Sequence, residues 1–584
     1  MRYDCSNIAL LILMTALVRF PMIGKWGNSD EAWYAAIAAH NACYGRSPFD
    51  SPGTNASPTI AVYQFLTTSE GPYDKVPLDV LTLFVCAGVT VWIYWVVRNS
   101  SGRCPAFLAG IGFLIVQSLW EGLTSNREWY AVPFLAVAVH LLCRAVADDC
   151  RRSSKCIWYA FGAGAFVAFA TGLKEQSLPF LAVGPGIFIV AAWMRAIPFQ
   201  VAWILLWIYL IAFAIGIGII LLPHVWYGNV GVYLEDMRSR IAVEGAQNMT
   251  GSAPSNLHLL RVYGAGTVLN TEGRSVILAW ALLSASYQII QVIRSRQAAQ
   301  TRFTACVFAL AYITSVISVA GGGRFFDHYY LYLLPFGVPL IAMTASEILQ
   351  NKSRAFAQML PFMAVTLAQG LWGSIRGISA DHYDGAIVLA LAGCASAICY
   401  VTACCWPGIV DRLAIRSNCL SMGVAVAVMS LSAISLQRQI FRHPPTGDMA
   451  VQSHTVELVS VLEERKRAGD QIFVWGWQTR LYPASKMVPA SQFVSVARVV
   501  HDFAKGQLLP DIVEPSPEMK HLILELERNR PRFIVDASRR SNTLSDIRIY
   551  QIGRHRDFSA FLDTHYDNSG SHGDYTLYTR RDAL

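Results

Sequence analysis

Asp30-Glu31 stands where the first long apolar run of this chain ends. A carboxylate at the mouth of a cavity takes a proton from a hydroxyl or holds a divalent cation. As Ser29-Asp30-Glu31 it also reads as the cap of a loop helix. Trp33-Tyr34 follows, suited either to a lipid interface or to stacking on a sugar ring. Asn126-Arg127-Glu128 opens a later apolar run; Glu128 is either an ordinary interface residue or a partner of Asp30 for a metal or an incoming substrate. Lys174, between two further runs, suits a phosphate, although terminal lysines also snorkel. The densest polar cluster, Arg324-Phe325-Phe326-Asp327-His328-Tyr329-Tyr330, follows Gly321-Gly322-Gly323. Its arginine offers bidentate phosphate contacts. Asp327 and His328 offer contacts to sugar or phosphate oxygens, with a purely structural histidine equally open.

These residues need elements to hold them, and composition limits what the elements are. Hydrophobic residues make up 54% of the 584 and charged residues 15%, with a mean hydropathy of +0.38. A water-soluble chain of this size rarely buries so much apolar surface. The formal charge of +8 does not indicate nucleic-acid binding, because the basic residues lie between apolar runs and not along one face. The thirteen cysteines fall mostly in or beside apolar runs, the vicinal pair Cys404-Cys405 has no spaced partner, and none follows Cys419. That pattern opposes a zinc or redox centre and leaves the tail without a disulfide.

A membrane helix needs roughly 20 apolar residues. The runs at 7–24, 78–97, 105–121, 128–147, 157–173, 177–194, 201–222, 273–293, 303–320, 329–346, 356–372, 385–404 and 419–436 predict about thirteen transmembrane helices. The first lacks a convincing small-residue cleavage site and is read as a retained span. Lys174-Glu175-Gln176 divides 157–194, since charge at the midplane is costly. Arg98, Arg103, Arg151, Arg152, Lys155, Arg195, Arg294, Arg296, Arg302, Lys352, Arg354, Arg412 and Arg416 fall on one side. Asp30, Glu31, Glu128, Glu175, Asp327 and Asp381 fall on the other, which orients the N-terminus to the cytoplasm. An odd number of spans then puts residues 437–584 outside it.

Two outer loops are long. Residues 25–77 carry candidate amphipathic helices at 30–43 and 59–68, and residues 223–272 one near 229–247. In the tail, Val456 to Arg467 and Met519 to Asn529 read as helices, Gln471 to Trp475 and Arg532 to Asp536 as strands, and Tyr575 to Tyr578 as an edge strand. Such alternation predicts a small α/β domain. It carries neither a glycine-rich dinucleotide loop nor a nucleophile elbow.

At these residues the chain resembles the polytopic glycosyltransferases of the GT-C superfamily. The branch is the bacterial one similar to protein O-mannosyltransferases and lipid A aminoarabinose transferases (glycosyltransferase family 39/83-like). The matching features are Asp30-Glu31 in the first outer loop, Asn126 and Glu128 opening the fourth span, and Lys174 within Gly172-Leu173-Lys174-Glu175-Gln176. Arg324 to Pro335 matches a Gly-rich Arg-Phe-x-x-His-Tyr stretch running into prolines. The tail segments Phe473 to Trp477 and Arg532 to Asp536 match as well. The motifs are short, and their order, spacing and sidedness carry the likeness over nearly the whole chain. One departure stands out: relatives carry a lysine before Pro-Pro or Gly-Pro in the first loop, whereas Asn55-Ala56-Ser57-Pro58 has none.

The resemblance implies a polytopic α-helical membrane protein, with residues 1–436 as the GT-C catalytic domain and 437–584 as an extracytoplasmic α/β domain. It implies transfer of a monosaccharide from a polyprenyl-phosphate donor to a glycolipid, polysaccharide or protein acceptor, with inversion. The setting would be the outer face of a bacterial cytoplasmic (inner) membrane. Asp30, Glu31 and Glu128 are then the catalytic candidates. Asn126, Lys174, Arg324, Asp327, His328, Tyr329, Trp33 and Tyr34 would bind substrate, and Asp30 and Glu128 would be ligands for any divalent Mg, Mn or Zn. A flippase of lipid-linked sugar is the main rival, but it predicts charges deep in the spans and repeated halves. A glycan ligase or polymerase, and a membrane scaffold with a sensor tail, are the others.

Overall fold

The computed structural model describes residues 2–26, 29–49, 57–69, 71–117, 123–147, 154–231, 233–234, 274–295, 300–321, 327–350, 449–500, 516–540 and 551–583. The expected spans at 356–372, 385–404 and 419–436 lie outside these residues, as does most of the 223–272 loop.

The N-terminal part is a helical bundle. Helix α1 (Arg2–Arg19) leads to two loop helices, α2 (Ser29–Cys43) and α3 (Pro58–Thr67), close to where the sequence places them. Then come α4 (Val76–Ser101), α5 (Arg103–Gln117), α6 (Glu128–Ala145) and α7 (Lys155–Leu173). After Lys174 the chain takes a 3-10 path over Glu175–Ala182 before α8 (Val183–Trp193) and α9 (Phe199–Trp226). Helices α10 (Arg274–Ser295), α11 (Gln300–Gly321) and α12 (Leu334–Gln350) complete the described bundle, the last preceded by a 3-10 turn at Asp327–Tyr332.

Among the described residues, five segments are long and apolar enough to cross a membrane: Asp4–Met22, Val76–Ser101, Lys155–Leu173, Glu175–Trp193 and Phe199–Trp226. Helix α9 shows how such a helix is built. Trp203, Trp207, Ile211, Ile215, Ile219 and Leu222 form an exposed apolar stripe, while Ala202, Leu205, Tyr209, Ala212 and Gly216 face the bundle. Without a hydrophobic drive between helices in lipid, small residues let backbones approach closely. Gly164 of α7 lies against the Tyr209 carbonyl, and Gly216 against the Ala168 methyl.

The two ends of the bundle differ in charge. At the N-terminal end of α1, Asp4 accepts from Tyr94 Oη at 2.7 Å and pairs with Arg98 and Arg103 at 3.3 and 3.2 Å. At its other end, Arg19 donates to the carbonyls of Leu123 and Thr124, each at 3.1 Å. The acids and lysines of the first loop gather at this second end.

The tail holds α13 (Met449–Arg465), β1 (Gln471–Trp475), α14 (Leu481–Ser485), β2 (Val488–Pro489), α15 (Ala497–Val500), α16 (Pro517–Asn529), β3 (Phe533–Asp536), α17 (Arg556–His565), β4 (Tyr566–His572) and β5 (Tyr575–Arg580). The strands form one sheet in the order β2-β1-β3-β5-β4, with β2, β1 and β3 parallel and β5 and β4 antiparallel. Ile472, Val474, Phe533, Val535 and Leu577 share a core with Leu458 and Leu462 of α13. Phe473, Trp475 and Ile534 share one with Leu522 and Leu526 of α16 and Phe558 of α17. This alternation along each strand makes a three-layer α/β/α unit. The expected edge strand at Tyr575 is an interior one, because β4 pairs along its outer side. The polar Asp567-Asn568-Ser569-Gly570-Ser571 stretch of β4 carries no apolar alternation, so sequence pattern does not announce it.

Helix α2 connects the two parts. Its residues Tyr34 to Ala39 share a core with Leu458, Tyr482 and Met487 of the tail. Tyr44 Oη donates to Gln471 Oε1 at 3.1 Å, and Tyr73 Oη to the Met487 carbonyl at 3.0 Å. His40 is buried, with Nδ1 3.1 Å from the Pro489 carbonyl, so the neutral ring donates there.

Two predictions follow from this packing. Gly164→Leu forces α7 and α9 apart and lowers stability by about 1–3 kcal/mol, read as an earlier thermal transition of the purified protein. Burial, the largest cause, lowers the His40 pKa below the usual histidine value. Its contribution to docking is therefore complete above about pH 6.5 and is lost as pH falls below that. Protease sensitivity of the tail should rise on acidification in wild type, and this dependence should be weaker in His40→Gln.

Candidate functional site

The site is built where α1, α4 and α6 meet the first loop. Helix α2 begins at Ser29, which puts Asp30 and Glu31 in its first turn, where the helix dipole favours negative charge. Asp30 is half-buried. Glu31 is fully buried and turned inward: it accepts the Ser125 backbone N–H and pairs with Lys75 Nζ at 3.3 Å.

Lys75 is the centre of this corner. It is buried, pairs with Asp79 one helical turn on at 3.2 Å, donates to the Lys25 carbonyl, and lies 5.5 Å from the Trp26 ring centre. Asp79 in turn accepts from Gly24 N–H at 2.8 Å and from Ser125 Oγ at 2.5 Å. The ends of α1, α2, α4 and the approach to α6 are thereby tied at one point. The sequence reading of the site did not single out Lys75, which lies at the entry to α4, beyond the 55–58 stretch. The signal was the Lys75/Asp79 spacing of four, masked because Asp79 falls inside the apolar run.

A second pair of contacts lies at the start of α6. Lys174 Nζ is 2.7 Å from Glu128 Oε1, with both residues about 1% exposed, and 4.6 Å from the Tyr329 ring centre. Arg127 pairs with Glu175 at 3.1 Å and lies 5.3 Å from the Tyr34 ring centre. Tyr34 is itself buried against Tyr63, with Trp33 half-buried beside it. Tyr332 Oη and Ser177 Oγ, 3.1 Å apart, bring the 3-10 turn before α12 against that after Lys174. Asn126 is buried beside Glu128 in sequence.

Asp30, Glu31, Asn126, Glu128, Lys174, Trp33, Tyr34 and Tyr329 thus belong to the loops and helix starts at one end of the bundle. Arg324 lies outside the described residues. Asp327 and His328 open a described 3-10 turn, but their side chains lie outside the description.

Chemically the corner holds buried lysines each matched to carboxylates, beside a half-exposed acid. Among the described residues, no group of three or more His, Cys, Asp and Glu side chains gathers to hold a metal. The Glu128 carboxylate faces the Lys174 ammonium.

A structure of ArnT from Cupriavidus metallidurans bound to undecaprenyl phosphate aligns with a TM-score of 0.53 at 12% identity, covering 98% of this chain and 97% of that one. The chain has the GT-C fold. The apo form of the same ArnT aligns at 0.51 with 13% identity and the same coverage. The archaeal oligosaccharyltransferase AglB from Archaeoglobus fulgidus, in complex with an inhibitory peptide and a dolichol-phosphate, aligns at 0.50 with 10% identity, covering 100% of this chain and 75% of that one. No family model and no curated protein sequence matches the chain. The likeness is thus one of fold, at 10–13% identity.

Removing one partner from a buried ion pair leaves an uncompensated charge, at a cost of about 3–5 kcal/mol. Lys75→Met should lose stability of that order, since Glu31 and Asp79 then face each other. Chemical denaturation of the purified variant checks this; a transition at the wild-type midpoint counts against Lys75 as the keystone.

Proposed function

We propose that this protein is a membrane glycosyltransferase that moves a monosaccharide from a polyprenyl-phosphate carrier to a cell-envelope acceptor. The observation that carries the reading is the buried acid–lysine corner at the loop end of the helical bundle, in a chain of GT-C fold. The ArnT structure it resembles contains a polyprenyl phosphate. Thirteen spans, a cytoplasmic N-terminus, and a site and tail on the outer face of an inner membrane belong to the same proposal.

In this scheme the lipid phosphate lies near Lys174, with Arg324 as the second cation. Glu128 holds the Lys174 ammonium in place, and Tyr329 covers it. Asp30, the half-exposed acid, takes the proton of the acceptor hydroxyl as its oxygen attacks the anomeric carbon. The bond from that carbon to the phosphate oxygen breaks, and the polyprenyl phosphate leaves with the electron pair. A single displacement inverts the anomeric centre and needs no glycosyl-enzyme intermediate. The leaving phosphate gains charge, which a preorganised ammonium stabilises without reorganising solvent. Glu31, locked to Lys75 and the Ser125 N–H, positions the α2 start and so aims Asp30. Lys174 and Arg324 supply that positive charge, and a divalent Mg, Mn or Zn held by Asp30 and Glu128 would add to it.

Asp30→Asn should lower transfer by about 10²–10⁴-fold, as for loss of a general base, with little change in thermal stability. The assay follows labelled sugar from a panel of polyprenyl-phosphate monosaccharides into membrane extracts. No transfer by wild type across the panel, with lipid-linked sugar crossing reconstituted bilayers instead, establishes a flippase. Transfer only from donors carrying preassembled glycans points to the ligase or polymerase class.

A further inference from the structure

The loops before α6 and after α7 run side by side in opposite directions. Arg127 pairs with Glu175, and Glu128 pairs with Lys174. Asn126 and Gln176 are the next residues of these two stretches beyond the paired ones. Both are buried, at 1% and 8% exposure. Among the described residues, neither Nδ2 nor Oδ1 of Asn126, nor Nε2 nor Oε1 of Gln176, has a hydrogen-bond partner. Buried polar groups are nearly always paired, so two complete side-chain amides left open beside one ion pair ask for a ligand.

The chemistry of an amide narrows that ligand. Each amide presents donors on nitrogen and an acceptor on oxygen. A phosphate diester offers acceptors only, and would leave both carbonyl oxygens unmatched. A sugar ring offers neighbouring hydroxyls that donate and accept, which matches both halves of each amide. The location fits as well, because Lys174 is two residues from Gln176, and the anomeric carbon of the donor is bonded directly to its phosphate oxygen.

We infer that Asn126 and Gln176 hold the hydroxyl groups of the donor's sugar ring, and so determine which sugar is accepted. The inference rests on the glycosyltransferase reading and gives Gln176 a role of its own beside that of Lys174. It also predicts that these amides serve the ligand and not the fold.

The test uses the full-length protein in nanodiscs, with undecaprenyl phosphate and a panel of its glucosyl, mannosyl, galactosyl and aminopentosyl derivatives as probes. Wild type should bind at least one glycosylated lipid about tenfold or more tightly than the bare lipid, because a site built to bond hydroxyls discriminates strongly against their absence. Gln176→Met and Asn126→Leu should reduce that advantage to about threefold or less while leaving bare-lipid affinity within about twofold. The lipid-free melting temperature should stay level or rise, since each variant removes an unpaired buried amide. A retained sugar advantage overturns the inference, as waters then satisfy the amides. Bare-lipid affinity falling in parallel overturns it in favour of the phosphate, and a lower lipid-free melting temperature in both variants overturns it in favour of a structural role. A wild type that binds the bare lipid but shows no sugar preference overturns it alone. One that binds no lipid at all removes the proposed function with it.

Discussion

The buried contact of Lys75 with Glu31 and Asp79 is the constraint on which this end of the molecule depends. Desolvating a lone ammonium or carboxylate is prohibitive, so the three groups must arrive together. Each belongs to a different stretch of chain or is shared between stretches. Glu31 opens α2, Lys75 and Asp79 start α4, and through Ser125 and Gly24 the same groups reach the approach to α6 and the end of α1. An apolar contact there would hold the helices equally well, but would not fix their rotation. A charge that has to meet its partner within hydrogen-bond distance does.

That fixed corner gives α2 its importance. One end of this short helix presents Asp30 beside the ion pairs, and its later turns meet the tail through His40 and Tyr44. The helix is almost wholly buried, with Ala32, Ala35, Ala36 and Ala38 at no exposure, so it has neighbours on nearly every side. Small residues permit that approach. The tail and the charged corner are thus joined through a helix of a few turns, with the Tyr73–Met487 hydrogen bond as a second tie beside it.

Much of this was legible in the sequence, and what was not has physical reasons. The loop helices at 30–43 and 59–68, the division after Lys174, and the strands at Gln471 and Phe533 follow from apolar periodicity and from charges that interrupt it. The gathering of Asp30, Asn126, Glu128, Lys174 and Tyr329 at one end was readable from which side each loop falls on. Pairing was not: which lysine meets which acid depends on helix rotation, and hydropathy is blind to rotation. Asp79 was hidden because an isolated carboxylate inside an apolar run looks like tolerated noise until its lysine is seen a turn away. Strand β4 was hidden because an outer strand with polar residues on both faces has no alternation to read.

The edges of the tail sheet are guarded differently. Strand β4 carries a bulge between Asn568 and Gly570, within its own stretch of chain. Strand β2 is only two residues long, and its neighbour on the open side is α2, bonded to it through residues 449 positions apart in the chain. Bulges and covering elements both keep unpaired edges from joining other chains. The second device carries a delay. At translation rates of about 5–20 residues per second, roughly 20–90 s separate the emergence of His40 from that of Pro489. For that interval the tail-facing side of α2 is without β2, and the tail, made long after the first loop, closes over it.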